Sequence, residues 1–99
     1  MNIIERNIGR IKRLCNEYKV AKLYLFGSAL TERFNNESDI DFIVTFKDVE
    51  LIEYADNYFD FKFSLEDLLQ RKIDLLEEKS IRNPFLIKSI NSSKRLIYG

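Results

Sequence analysis

The segment 39–46 begins with alternating polar and apolar side chains, at the period of a β-strand. A period of two puts Asp39 and Asp41 on one face of this strand and the apolar residues that follow each of them on the other. Because an apolar strand face must be buried against another layer, the segment requires a sheet that is covered on one side. The opposite face then begins with two carboxylates, which makes it the first candidate for a functional site.

The remaining hydrophobic patterns predict helices and strands in alternation. The predicted elements are a helix over 2–19, a strand over 22–26, a short helix over 28–33, a loop over 34–37, a strand over 39–46, a helix from an Asp48 N-cap to about Gln70 with a break near 61–64, a strand over 72–77, a helix from Pro84 to about Asn91, and a strand or tail over 94–98. This order predicts an α/β (α+β) fold, in which a small mixed β-sheet carries helices packed on one face.

The composition limits the chemistry open to this chain of 99 residues, which is predicted to be a single domain over 1–99. The absence of His excludes a Ser-His-Asp triad, a His general base and a His-ligated zinc site. The single Cys, Cys15, excludes an intrachain disulfide and a Cys-cluster metal site, and its amphipathic surroundings predict a small core residue. Any chemistry must therefore use carboxylates and hydroxyls, with a hard metal ion as the expected helper.

Charge and hydropathy restrict the partners and the compartment. Sixteen basic residues balance sixteen acidic ones, which argues against direct nucleic-acid binding because that needs surplus Lys and Arg. The amino-terminal residues mix charges into their apolar positions, so no signal peptide is expected there. No stretch approaches the roughly 20 apolar residues of a membrane helix. We therefore expect a cytoplasmic protein with no membrane contact.

A second motif lies where the first predicted strand ends. Gly27-Ser28 closes that strand, and ten residues separate it from Asp39. Gly lets a backbone approach a phosphate closely, Ser28 can cap a helix or donate to a phosphate oxygen, and a helix N-terminus suits an anion. Two carboxylates spaced like Asp39 and Asp41 can bracket a pair of divalent ions about 3.5–4 Å apart. Asp74, which interrupts the third strand, would join them if that strand lies beside the second.

Each of these features has a simpler structural interpretation. A Gly-Ser pair after a strand is usually a turn and a cap, an Asp-x-Asp pair is usually a solvated strand edge, and Asp74 alone would most often form an ion pair. Their occurrence in this order, at strand ends, favours the functional interpretation.

This combination resembles the nucleotidyltransferase superfamily of DNA polymerase beta, whose signature is Gly-Ser, a ten-residue gap and Asp-x-Asp. The stretches 23–28 and 38–44 match the signature, and the chain length with the segments 71–76 and 87–99 resembles the minimal nucleotidyltransferase (MNT) subfamily. Members of that subfamily are typically antitoxins, each paired with an all-helical HEPN-domain toxin. The resemblance implies a protein adenylyltransferase that transfers AMP from ATP to a Tyr hydroxyl of the toxin, in a hetero-oligomer with it.

The resemblance also implies roles for individual residues. Asp39, Asp41 and Asp74 would be the catalytic residues and the ligands of two Mg²⁺ ions, with Asp74 as the candidate base for the hydroxyl proton. Gly27 and Ser28 would bind the phosphates of ATP. The chain departs from the family pattern after Gly-Ser, because Thr31 and Glu32 occupy the places where relatives commonly carry Arg and Gly. Arg33, two positions beyond the expected Arg, is the candidate substitute.

Two other functions compete with this one. A binding-only antitoxin would block its toxin by contact and keep the site as a relic, but intact acids at positions 39, 41 and 74 favour the enzyme. A small-molecule nucleotidyltransferase of the antibiotic-modifying kind would need an acceptor domain that the chain is too short to supply.

Five aromatic residues fall within ten positions of the predicted long helix, and one helix face cannot bury them all. We expect either that a helix break turns some of them inward, or that some form an interaction surface. These residues are Tyr54, Tyr58, Phe59, Phe61 and Phe63.

Overall fold

The structure, a computed structural model, describes residues 2–26 and 39–99. In these residues the chain forms four α-helices, four β-strands and a short 3₁₀ turn at Glu78–Ser80. In chain order the elements are α1 (Asn2–Arg6), α2 (Ile8–Glu17), β1 (Val20–Phe26), β2 (Ile40–Phe46), α3 (Leu51–Leu69), β3 (Ile73–Glu77), α4 (Pro84–Ser93) and β4 (Arg95–Tyr98). The short helix predicted over 28–33 and the loop predicted over 34–37 lie outside the described residues.

The four strands form one mixed sheet in the order β3-β2-β1-β4. β1 pairs antiparallel with both β2 and β4, whereas β2 and β3 run parallel. Parallel strands need a crossover connection, and α3 supplies it between β2 and β3. The predicted fold class, a small mixed sheet with helices, is confirmed.

Helices α2 and α3 cover one face of the sheet. From α2, Ile11 and Cys15 are fully buried, and from α3 Phe61 and Leu65 are fully buried. They pack with the inward-facing residues of the strands in one cluster, and burying a side chain of this size contributes about 1.5–3 kcal/mol. Burial raises the pKa of the Cys15 thiol to about 12, which agrees with its predicted role as a small core residue.

The amino-terminal helix differs from its prediction, because the helix expected over 2–19 is two helices separated at Asn7. The Asn7 side chain donates a hydrogen bond to the carbonyl of Ile3, at 2.8 Å. An Asn side chain that bonds to a nearby carbonyl offers the backbone an alternative to continuing the helix.

Helix α3 also corrects two predictions. It is continuous from Leu51 to Leu69, so the break expected near 61–64 is wrong, and it begins after Glu50, so Asp48 is not its N-cap. The aromatic residues fit without a break because they point in different directions: Phe61 enters the core, while Phe59 and Phe63 remain 47% and 56% exposed.

The carboxyl-terminal elements agree with their predictions. Pro84 occupies the first turn of α4, and the Asn83 side chain accepts hydrogen bonds from the backbone N–H groups of Phe85 and Leu86 as its N-cap. The segment after α4 forms the edge strand β4 beside β1. Across residues 2–26 and 39–99, every helix is too short or too polar to span a bilayer.

Candidate active site

Asp41 and Asp74 form the centre of the candidate site. They are register partners on the parallel strands β2 and β3, so their side chains leave the same face of the sheet. On either side of Asp74, Ile73 and Leu75 are buried in the core beneath α2 and α3. The two carboxylates therefore lie on the face opposite those helices, side by side on neighbouring strands about 4.8 Å apart.

Asp39 lies two residues before Asp41 and is exposed. Its electrostatic effect reaches the pair: burial raises the pKa of Asp41 above its ordinary range, and the charges of Asp74 and then Asp39 raise it further. The other two acids predicted from the sequence thus both act on Asp41, whose ionisation its surroundings disfavour.

The carboxylates form no salt bridge in the part of the chain that the structure describes. Within residues 2–26 and 39–99, no Lys or Arg forms an ion pair with Asp39, Asp41 or Asp74. In the same residues the acids are not already gathered at the spacing of metal ligands. Their chemistry still fits a hard divalent cation, because such a cation binds through carboxylate oxygens. A bound cation would also favour the ionised form of Asp41, which the protein alone disfavours.

The predicted phosphate-binding residues Gly27 and Ser28, together with Thr31, Glu32 and Arg33, lie outside the described residues. The strand that leads to them ends inside the site, because Phe26, the last residue of β1, is the register partner of Asp41. Strand β1 therefore ends beside the carboxylates, which is where phosphate-binding residues would be needed.

Sequence reasoning missed a set of contacts between α3 and the outer edge of β3. The Tyr58 hydroxyl donates a hydrogen bond to the Leu75 carbonyl, and the Tyr54 hydroxyl donates one to the Glu77 carboxylate. Burial raises the pKa of Tyr58, with further contributions from the charges of Asp74 and Glu77. The spacing of the two Tyr residues, four apart on one face of the helix, is the signal that could have indicated a shared partner.

A cation on the sheet face that carries Asp41 and Asp74 was also not predicted from the sequence. The Lys94 ammonium lies 4.1 Å from the centroid of the Tyr24 ring, and Tyr24 is the register partner of Ile43, two residues along β2 from Asp41. Because strand residues two apart share a face, Tyr24, Ile43 and Asp41 point to the same side of the sheet. Lys94 is also 4.0 Å from the Glu78 carboxylate, so its charge is already engaged.

Comparison with known proteins gives consistent matches. The family described as polymerase beta, nucleotidyltransferase matches residues 9–99. Two relatives from Methanocaldococcus jannaschii, both named as candidate protein adenylyltransferases, are 40% and 37% identical over 96 and 91 residues. Each of these alignments covers 88% of this chain and 84% of the relative.

Solved structures share the fold at lower identity. A candidate minimal nucleotidyltransferase has a TM-score of 0.77 at 21% identity, covering 96% of this chain and 95% of its own. A toxin–antitoxin crystal structure with AMP-PNP has a TM-score of 0.72 at 24% identity, covering 94% and 73%. A complex of a tri-AMPylated Shewanella oneidensis HEPN toxin with its MNT antitoxin has a TM-score of 0.66 at 22% identity, covering 96% and 71%.

Proposed function

This chain belongs to the polymerase beta nucleotidyltransferase family and is a nucleotidyltransferase; we propose that it transfers AMP from ATP to a Tyr hydroxyl of a cognate HEPN toxin and thereby neutralises the toxin. The observation that carries this proposal is the register of Asp41 with Asp74, which puts two carboxylates on one face of the sheet. The names of the relatives support a protein as the acceptor of AMP. The structurally similar complex of an MNT antitoxin with a tri-AMPylated HEPN toxin supports a HEPN toxin as the partner.

The three acids would hold two Mg²⁺ ions between them. When bound, such ions neutralise the charge of the transferring phosphate and favour ionisation of the attacking hydroxyl. The residues of the chain supply the rest: Gly27 and Ser28 bind the β- and γ-phosphates, and Arg33 adds a positive charge beside them. Asp74 accepts the proton of the Tyr hydroxyl. A bond forms between that hydroxyl oxygen and the α-phosphorus, the bond from the α-phosphorus to the bridging oxygen breaks, and pyrophosphate leaves.

The acceptor would bind on a surface that this small domain shares with its partner. Phe59 and Phe63 are exposed and stacked, with ring centroids 6.0 Å apart. Residues 59, 63 and 66 lie on one side of α3, since they are spaced by four and three, and Glu66 contacts Ile73 at the start of β3. The aromatic pair therefore lies on the side of α3 that is nearer to β3, and a toxin bound there would reach around this edge of the sheet to bring its hydroxyl to Asp74 on the opposite face.

One observation favours a second function, inhibition by contact alone. Beyond Phe59 and Phe63, the chain exposes Phe85 at 83% and Leu51 at 92%, which is more apolar surface than a nucleotide site needs. A binding-only antitoxin would use such surfaces and need no catalysis.

Labelling of the toxin separates the two functions. We expect the wild-type chain to label its co-purified HEPN toxin from α-labelled ATP, and the double variant Asp39→Ala/Asp41→Ala to give no label, because the phosphate-binding cations lose two ligands. Glu17→Ala/Asp48→Ala, which removes two exposed acids outside α3, is the matched control and should label normally. If the site variant still neutralises the toxin fully in cells, inhibition by contact is the correct function.

A further inference from the structure

Strand β3 carries Asp74 at the edge of the sheet, where, among residues 2–26 and 39–99, one side of the strand has no neighbouring strand. The backbone N–H of Ile40 donates to the carbonyl of Lys72, at 3.0 Å, so the polar groups of Lys72 point towards β2. Backbone groups of successive strand residues alternate in direction, so those of Asp74 also point towards β2. Those of Ile73 and Leu75, the residues on either side of it, point outward from the sheet.

Two side chains of α3 form hydrogen bonds with these outward-facing backbone groups. The Glu66 carboxylate accepts a hydrogen bond from the Ile73 N–H, at 3.0 Å, and the Tyr58 hydroxyl donates one to the Leu75 carbonyl. Both side chains are half-buried, and both bonded backbone groups belong to buried core residues. The edge of β3 is therefore held on both sides of Asp74 by one rigid helix.

The helix itself is fixed against the rest of the sheet. Phe61, between the two contact residues, is fully buried, and the Tyr58 ring lies edge-on to Phe46 of β2 with the centroids 6.5 Å apart. The hydrogen bonds to β3 thus tie Asp74 to the same framework that carries Asp41. Without them, the backbone of β3 on either side of Asp74 would lose its hydrogen bonds to α3 and be held by its pairing with β2 and by the packing of Ile73 and Leu75.

We propose that Glu66 and Tyr58 are positioning residues for Asp74: by bonding the backbone of Ile73 and Leu75, they fix the edge strand so that the carboxylate stays beside Asp41. This rests on the proposed function, because Asp74 must act on the cation or the proton for its position to matter. Neither side chain touches the reacting atoms, so their effect passes through β3 alone.

The chain offers variants that isolate each bond. Glu66→Ala removes the acceptor for the Ile73 N–H, whereas Glu66→Gln retains a carbonyl oxygen that can accept it. Tyr58→Phe removes the hydroxyl and keeps the ring against Phe46. Asp60→Ala, at an exposed position of the same helix, reproduces the charge change of Glu66→Ala away from β3.

The test is the affinity of the intact chain for Mn²⁺ in the presence of a non-hydrolysable ATP analogue, together with hydrogen exchange of the Ile73 amide and the transfer rate. We expect Glu66→Ala and Tyr58→Phe each to weaken Mn²⁺ binding about 10-fold, at the low end of the effect of removing groups that orient metal ligands. The Ile73 amide should exchange faster in Glu66→Ala, and Glu66→Gln should restore both properties. Asp60→Ala should change neither.

A double-mutant cycle identifies the route of the effect. In an Asp74→Asn background, Glu66→Ala should cause no further loss of Mn²⁺ affinity or rate, since the group that it positions is gone. A full additional 10-fold loss in that background would overturn the proposal, as would unchanged Mn²⁺ affinity in Glu66→Ala and Tyr58→Phe. If Asp74→Asn itself changes neither affinity nor rate, the catalytic role proposed for Asp74 is wrong, and this inference is overturned with it.

Discussion

Asp41 and Asp74 are register partners on the two parallel strands of the sheet, and the charge of Asp74 disfavours the ionisation of Asp41. Burial is the larger cause of the raised pKa of Asp41, and the charge of Asp74 adds to it. A pair of this kind costs stability in the absence of a cation and becomes useful when one binds. The first two predictions follow from that property.

In the presence of a chelator, the stability of the protein should fall as the pH rises through the Asp41 titration. The folded state binds this proton more tightly than the unfolded state, so the free energy of unfolding decreases with pH between the ordinary Asp pKa, about 4, and the raised folded value. Urea unfolding at a series of pH values measures the slope. Asp41→Asn should remove this contribution, whereas Asp56→Asn, at an exposed position of α3, should leave it in place. An identical slope in wild type and Asp41→Asn would contradict the assignment.

ATP with Mg²⁺ should stabilise the folded chain far more than ATP alone. At a ligand concentration of about 100 Kd, binding adds about 2.7 kcal/mol, which corresponds to a rise in Tm of roughly 10–20 °C for a domain of this size. Thermal unfolding with and without a chelator is the measurement. The Asp39→Ala/Asp41→Ala variant should show little of this rise. A shift that survives the chelator would mean that the carboxylates do not act through a metal.

The variants Asp74→Asn and Asp41→Asn should lose different properties, the first the rate of AMP transfer and the second the affinity for Mg·ATP. Asn keeps one acceptor oxygen but cannot take a proton, so Asp74→Asn should slow AMP transfer about 10²–10⁴-fold. It should weaken only the second cation, which activates the hydroxyl and which the Mn²⁺ titration reports, while ATP with its own Mg²⁺ still binds. Asp41→Asn should weaken Mg·ATP binding itself, because that carboxylate would contact both ions. Titration of nucleotide affinity and single-turnover labelling of the toxin, on both variants, distinguish the two roles. Equal losses of affinity would make Asp74 an ordinary ligand on the phosphate side.

The exposed aromatic pair Phe59 and Phe63 should contribute to toxin binding. Truncating buried aromatic anchors in interfaces commonly costs 2 kcal/mol or more, so Phe59→Ala/Phe63→Ala should weaken toxin affinity by about 30-fold or more. Binding can be measured by calorimetry, with the Mg·ATP thermal shift as the check that the nucleotide site is intact. Phe85→Ala, at an equally large exposed aromatic on α4, is the comparison. Loss of affinity in that variant alone would place the toxin on α4.

The sheet and its carboxylates could be predicted because they follow from local patterns. The strand carrying Asp41 is recognisable from its period of two, and Asp74 from its position inside an apolar run. The pairing of Asp41 with Asp74 depends on the order of the strands in the sheet, which the sequence does not determine. The structure shows that β2 and β3 are parallel neighbours. The roles of Gly27, Ser28 and Arg33 stay predictions.

Besides the division of the amino-terminal helix at Asn7, the wrong predictions concern helix α3, and the absence of its expected break has a specific physical cause. A break near 61–64 was expected because one face cannot bury five aromatics, but two of them reach polar partners on β3 through their hydroxyl groups. Those partners are placed by Gln70, whose left-handed conformation, φ 53°, ends the helix before the chain enters β3. No local pattern in residues 51–69 reports where β3 will lie. The contact of Glu66 with Ile73 was unpredictable for the same reason.

The pairing of β1 with β4 has a consequence for how the protein is made. Leu25 of β1 lies beside Arg95 of β4, which is far from it in sequence. Pairing these two strands closes a long loop, and that closure costs conformational entropy before the contacts form. Contacts at such sequence separation slow folding. During synthesis, β1 and β2 can pair well before β4 leaves the ribosome, and until then β1 presents an unpaired strand edge to solvent. A nascent chain in this state is open to strand pairing with other molecules, so the docking of β4 on β1 protects the newly made protein from aggregation.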